Sequence, residues 1–330
     1  MDDLKKLNCL IDLHLHLDGA ISPESARSLG KLQDIAVPSD ERELLKLLRV
    51  SPDCADLNEF LEKFAFPCSL LQTKEGITLA VSNLLKELSK QGLMYAEIRF
   101  APQKSTDKGL SQEEVVLAAI GGCQDSPIYT NLILCLMRAE DNYNENLETI
   151  NVAEKYLGKG VVAIDLAGAE ALFPTSDFVE LFRIAREKKI PFTIHAGEAA
   201  GPDSIQCAID MGAARIGHGI MAVNDDCVID ELVEKKIPLE ICPTSNVNTA
   251  IFPSLYEYPV RKLIDKGVLI TINTDDPSVC GVTLRDELLN MKKYCALSSE
   301  DIKMLLLNSA DASFADEELK KEMRERIEAI

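Results

Sequence analysis

Ile11-Asp-Leu-His-Leu-His-Leu-Asp-Gly19 opens the chain's first apolar run, Cys9–Leu17, and closes it with two histidines, an acid and a glycine. Leucine and isoleucine occupy nearly every other place, as in a parallel strand covered on both faces. The run does not end in G-x-G-x-x-G, which argues against the competing architecture, a doubly wound open sheet. Seven further short apolar runs follow: Met94–Phe100, Leu132–Met137, Val161–Leu166, Pro191–His195, Ala214–His218, Pro238–Cys242 and Val268–Asn273. Amphipathic stretches lie between them, among them Asp177–Lys189, Pro202–Met211, Val228–Lys236 and Tyr258–Lys266. Strand and helix alternating eight times predict an α/β fold, a (β/α)8 TIM barrel. Beyond Leu284 the pattern is helical to the end, with Glu317–Ile330 a charged surface helix.

Residues 1–330 are expected to form one such unit, because no low-complexity or Pro/Ser linker interrupts them. The first connection is anomalous, with roughly 75 residues from Gly19 to Leu93 against a usual 15–30. Within it Leu57, Phe60, Leu61 and Phe64 recur at helical spacing. A packing helix and a hydrophobic lid over the barrel mouth both fit, and residues 20–93 are expected to hold a helical lid insertion.

Composition narrows the partners. The net charge of −19 repels polyanions, so nucleic acid is not expected as a partner. No apolar run reaches the roughly 18 residues of a membrane span. Met1-Asp-Asp-Leu-Lys-Lys leads into a strand rather than a signal peptide, which predicts a cytoplasmic protein. None of the ten cysteines forms a C-x-x-C pair, which argues against a zinc ribbon or thioredoxin motif. Cys135, Cys207 and Cys242 read as reduced core residues.

The four histidines carry the chemistry. His14 and His16 are two apart on a strand and so share a face. His195 ends the fifth run and Asp275 follows the eighth. In a closed barrel these ends converge at the C-terminal mouth. Three neutral imidazoles and one carboxylate suit one Zn²⁺ per chain, with a position left for water whose pKa would fall to about 7. Val161–Gly168 contains no lysine to bridge a second metal. Glu198, three residues past His195, is placed to exchange a proton, or else to sit at a helix N-terminus. His218, between glycines, could orient the attacking hydroxide or stabilise charge. Asp276 is free to hydrogen-bond substrate if Asp275 ligates metal, and Gly168 offers a backbone N–H.

These segments resemble the adenosine deaminase family along nearly the whole chain: His14-Leu-His-Leu-Asp-Gly-Ala20, Asp165-Leu-Ala-Gly-Ala-Glu170, His195-Ala-Gly-Glu198, Arg215-Ile-Gly-His-Gly219, Cys242-Pro-Thr-Ser-Asn246 and Asn273-Thr-Asp-Asp-Pro277. The resemblance implies zinc on His14, His16, His195 and Asp275. It implies that Glu198 protonates purine N1, and that His218 and Asp275 orient the hydroxide. Substrate contacts are implied for His16, Asp18 at the ribose 5′-hydroxyl, Gly168 at N3 and Asp276 at N7. The implied reaction is hydrolytic deamination of adenosine, and of 2′-deoxyadenosine, to inosine and ammonia. The partner is then a small purine nucleoside, with no membrane and no obligatory protein partner. Relatives acting on free adenine carry Glu where this chain has Asp18, which favours a nucleoside. The loop Ala101-Pro-Gln-Lys-Ser-Thr106 lacks the histidine expected of bacterial relatives, and its Lys104 is a candidate contact for a phosphate. Two other readings are a deaminase of adenine or another N6-substituted purine, and a purine-binding barrel without turnover.

Overall fold

The computed structural model describes residues 7–51 and 53–329. Residues 1–6 and Ile330, the last residue of the expected surface helix, lie outside the described residues. All eight runs are strands: β1 Leu10–His16, β2 Leu93–Phe100, β3 Tyr129–Met137, β4 Val161–Ala167, β5 Thr193–Ala196, β6 Arg215–His218, β7 Leu239–Ile241 and β8 Ile270–Ile272. They form two parallel four-stranded sheets, ordered β1-β2-β3-β4 and β5-β6-β7-β8. The sheets meet at both ends. Ile164 of β4 bridges Phe192 before β5, and Leu15 of β1 bridges Asp275 after β8. At the second junction His16 N donates to Asp275 O at 2.8 Å and Asp275 N to His14 O at 2.8 Å. The two ends of the strand series, far apart in sequence, are thereby hydrogen-bonded neighbours.

Helices follow each strand, and their apolar stripes cover the outward faces of the sheets. Asp226–Lys235 shows why such segments are helical. Asp225 caps its first N–H groups, Val228, Ile229 and Leu232 face inward, and Lys236 ends it in the left-handed conformation. The expected helix over Asp177–Lys189 is shorter, because a 3-10 turn (Thr175–Phe178) precedes Val179–Glu187. The last helix runs Glu317–Glu328.

Helices Pro23–Gln33, Glu41–Leu48, Leu57–Leu61, Ala65–Ser69 and Lys74–Lys90 fill the long first connection. The stripe Leu57, Phe60, Leu61 and Phe64 is one short helix running into a 3-10 turn, Glu62–Phe64. Leu57 and Phe60 are buried against Val279, beside the strand-eight loop.

All ten cysteines are free thiols. Cys135 and Cys242 are buried as expected, whereas Cys207 is only half-buried.

Helix Leu284–Tyr294 buttresses the segment after β7. Its Glu287 is fully buried and accepts from Thr244 N at 2.9 Å. Burial pushes its carboxyl up to about 8. The folded chain therefore keeps a proton that the unfolded chain loses above about pH 4.5, so stability falls between there and pH 8. Glu287→Gln, neutral at every pH, is expected to match the parent's melting temperature at pH 4.5 and exceed it by several degrees at pH 8. A pH-independent difference in thermal melts would refute this account.

Candidate active site

The strand ends converge on a cavity of about 730 Å³, lined on one side by Leu57, Phe60, Leu61 and Phe64. His16, Asp18, Gly168, His195, Glu198, His218, Asp275 and Asp276 all open into it. His14 lies just beneath, wholly buried. Every residue singled out in the sequence for chemistry is therefore in one place.

Four side-chain atoms face a common point. His14 Nε2 is 3.0 Å from His195 Nε2, and His16 Nε2 is 3.2 Å from the same atom. Asp275 Oδ1 is 3.1 Å from His14 Nε2 and 3.4 Å from His16 Nε2. His218 belongs to the cluster from one side: one donor atom each from His14, His195, His218 and Asp275 lies within 4.8 Å of the others.

The outer nitrogens set the tautomers. His14 Nδ1 donates to Glu240 Oε2 at 2.8 Å, and His195 Nδ1 is 2.8 Å from Asp165 Oδ2. Burial raises both carboxyls, but neighbouring charge overrides it. His195 and Arg99 hold Asp165 well below the usual range, and Arg99 and Arg215 do the same for Glu240. The Glu240 carboxylate fixes the His14 proton on Nδ1 and turns its Nε2 lone pair inward, and Asp165 stands against the outer nitrogen of His195. Lone pairs and a carboxylate oxygen facing one another at about 3 Å repel unless a cation sits among them. Buried charge agrees. Arg99 and Arg215 are taken up by Asp165, Glu240 and Glu97, whereas the ion pairs of Asp275 are all with histidines. The donor set fits a divalent metal with nitrogen and oxygen ligands.

Two of the site's side chains sit on a left-handed backbone. His218 and Asp275 take the left-handed conformation, with φ of 57° and 60°. Side chains other than glycine enter that region at a cost, and they do so mostly at functional sites. Two glycines make close approaches. A Cβ on Gly217 would lie 3.2 Å from His14 Cε1, and one on Gly19 would overlap the Asp276 carboxylate.

The pattern described as adenosine deaminase matches residues 9–330. An adenosine deaminase of Haemophilus ducreyi is 47% identical over 328 residues, covering 97% of this chain and 95% of that one. The chain belongs to the adenosine deaminase family. Two solved structures share its fold at lower identity. The adenine deaminase of Arthrobacter aurescens superposes with a TM-score of 0.87 at 28% identity, covering 97% of this chain and 98% of the other. The N6-mAMP deaminase of Arabidopsis gives 0.87 at 26%, covering both chains fully.

Several polar residues of this family member's site are given no role by the sequence reading, although Arg215 and Asn246 lie within the segments Arg215–Gly219 and Cys242–Asn246. Arg99, on β2, donates to Asp165 Oδ2 (3.0 Å), Glu240 Oε2 (2.9 Å) and Leu13 O (2.6 Å). Arg215 joins Glu240 to Glu97, at 2.5 Å each. Asn246 Nδ2 contacts His218 Nδ1 at 3.1 Å while its Oδ1 accepts from Tyr258 Oη at 2.8 Å. A signal is present all the same: Glu97, Arg99, Asp165 and Glu240 are charged residues inside apolar strands, where burial is tolerated only with partners. Lys104 does line the cavity, but with Asp107, Glu62 and Asp18, not in a basic cluster.

Proposed function

We propose that the eight strands form a closed (β/α)8 barrel whose mouth hydrolyses adenosine, with 2′-deoxyadenosine as a second substrate, to inosine and ammonia. The observation that carries the reading is the convergence of His14, His16 and His195 Nε2 with Asp275 Oδ1, beside Glu198 at the cavity wall. These four residues are the ligands of one zinc ion, which when bound supplies Lewis acidity and a water activated at neutral pH.

His218 stands beside this set rather than in it. Asn246 donates to its Nδ1, so Nε2 carries the hydrogen and has no lone pair for a metal. That N–H lies 3.8 Å from Asp275 Oδ2, the oxygen turned away from His14 and His16, and 3.7 Å from Glu198 Oε2. His218 and Asp275 thus flank the place where an attacking water is oriented.

Burial, then Asp275 and Glu170, hold the Glu198 carboxyl well above the usual range. That shift favours the protonated acid, which can deliver its proton to purine N1 and make C6 electrophilic. Burial and Asp275 likewise favour the protonated form of Asp276, which can donate to N7. One oxygen each of Asp18 and Asp276 is buried without a protein partner, consistent with contacts that a substrate completes. Asp18 would take the 5′-hydroxyl and the Gly168 N–H would face N3. Leu57, Phe60, Leu61 and Phe64, within residues 20–93, act as the apolar lid that keeps bulk water out.

The deciding assay follows adenosine absorbance with and without a chelator. Conversion to inosine that chelation slowly abolishes is expected. No conversion by metal-loaded protein would transfer the reaction to adenine or N6-substituted purines, whose deaminases share the fold. His14→Ala should purify with less than about a tenth of the parent's metal, since loss of one of four ligands removes much of the affinity. Full metal occupancy by elemental analysis would refute the ligand set.

A further inference from the structure

The Glu198 carboxyl lies 3.7 Å from His218 Nε2, beyond hydrogen-bond reach, so its place is set through its backbone. That backbone is the turn Gly197–Ala200, between β5 and helix Pro202–Met211. The turn is neither strand nor helix, so its N–H groups need acceptors from elsewhere. All four find the same one. Glu170 Oε1 accepts from Gly197 N at 2.7 Å, and Oε2 accepts from Glu198 N at 3.0 Å, Ala199 N at 2.8 Å and Ala200 N at 2.9 Å. Ser204 Oγ adds a fifth bond to Oε1 at 2.5 Å. Glu170 is 1% exposed and comes from the loop after β4, not from the turn it holds.

A second fastening holds the other end. Arg138 donates to His195 O at 2.6 Å and to Thr175 Oγ1 at 3.0 Å. Thr175 Oγ1 is 2.7 Å from Ser204 Oγ, which completes a chain from Arg138 to Glu170. The span from His195 to Ala200 is therefore clamped on both sides by buried charge. Hydrogen bonds to an ionised acceptor are the stronger kind, and a buried one has no competing water.

We infer that Glu170 is a positioning residue for deamination: its carboxylate gathers the four N–H groups of Gly197–Ala200 and so aims the Glu198 side chain at the substrate ring. This rests on Glu198 being the proton donor. Glu170 touches no substrate. It acts by fixing, within tenths of an ångström, where the acid stands, and an acid displaced by about 1 Å loses on the order of 10²-fold in rate.

The test is zinc-loaded Glu170→Gln beside Glu198→Gln, with kcat, KM for adenosine, zinc content and amide hydrogen exchange measured on each. Glutamine has the same shape, but in either orientation its NH2 faces N–H donors. For Glu170→Gln we expect kcat to fall roughly 10- to 100-fold, KM to stay within about threefold, and exchange to quicken at 197–200 while β-strand amides stay protected. A folded, zinc-loaded variant with parental kcat overturns the inference. So does a loss of zinc and a rise in KM accompanied by faster exchange throughout, which is the signature of a merely structural carboxylate. Should Glu170→Gln not fold, Ser204→Ala replaces it. That variant keeps the carboxylate but removes one anchor, and a kcat several-fold lower at parental KM is expected, with unchanged kcat overturning the inference. Parental turnover by Glu198→Gln would instead remove the acid itself, a different failure.

Discussion

Glu198→Gln is expected to bind zinc and adenosine as the parent does and to turn over at least ~10²-fold slower. The amide keeps the shape of the carboxyl and can still donate a hydrogen bond, so ground-state binding survives. It cannot surrender a proton to N1, so the interaction made only in the transition state is lost, and the loss falls on kcat rather than KM. The sign of the pH dependence follows from the raised carboxyl. Burial, Asp275 and Glu170 favour the neutral acid. The active form is the protonated one, so parental activity should decline on the alkaline side as Glu198 ionises. The residual activity of Glu198→Gln should lack that limb. Steady-state kinetics across pH, with metal content measured on the same samples, decide the matter. Turnover within about fivefold of the parent would mean that another group, or water, protonates the ring.

Arg99→Met is expected to destabilise the fold by about 3–5 kcal/mol and to deplete the metal. Arg99 is wholly buried between Asp165 and Glu240. Methionine fills much of the volume but leaves Asp165 without its arginine and Glu240 with Arg215 alone. They must then take up protons or water, at a cost of several kcal/mol. The consequence reaches the site directly, because those carboxylates hold Nδ1 of His14 and His195. Once protonated they no longer fix the tautomer that turns Nε2 inward, and loss of such support typically costs roughly 10- to 100-fold in metal affinity. Denaturant melts and metal titration of the apo-protein are the measurements. Stability within about 1 kcal/mol and parental affinity together would show that the ion pairs do not hold up the centre.

Most of the site is legible in the sequence because its residues are chemically unlike their surroundings. Histidines are scarce in this chain, and all four stand at the ends of apolar runs. Period two by itself places His14 and His16 on one face, and in the fold both meet the same point in space. The supporting shell is less visible. Asp165 and Glu170 lie inside a recognisable motif, yet their bonds go to His195 and to the turn after it, which no local pattern announces. The long first connection reads as helical, but the apolar stripe within it breaks into a short helix and a 3-10 turn. Its burial against Val279 depends on a loop distant in sequence.

The sequence by itself determined the parallel α/β class, the eight strands and the chemical character of the cluster, because alternation, hydrophobic runs and rare residue types are local properties of the chain. The tertiary structure alone decided how the cluster is arranged. Asp275 turns one oxygen to His14 and His16 and the other to His218, Asn246 meets His218 Nδ1, Arg99 lies against Asp165, and Glu170 gathers the turn that carries Glu198. These are relations of orientation and buried charge between residues distant in sequence. They arise when strand ends are brought within about 3 Å of one another in a medium where every polar group must find a partner.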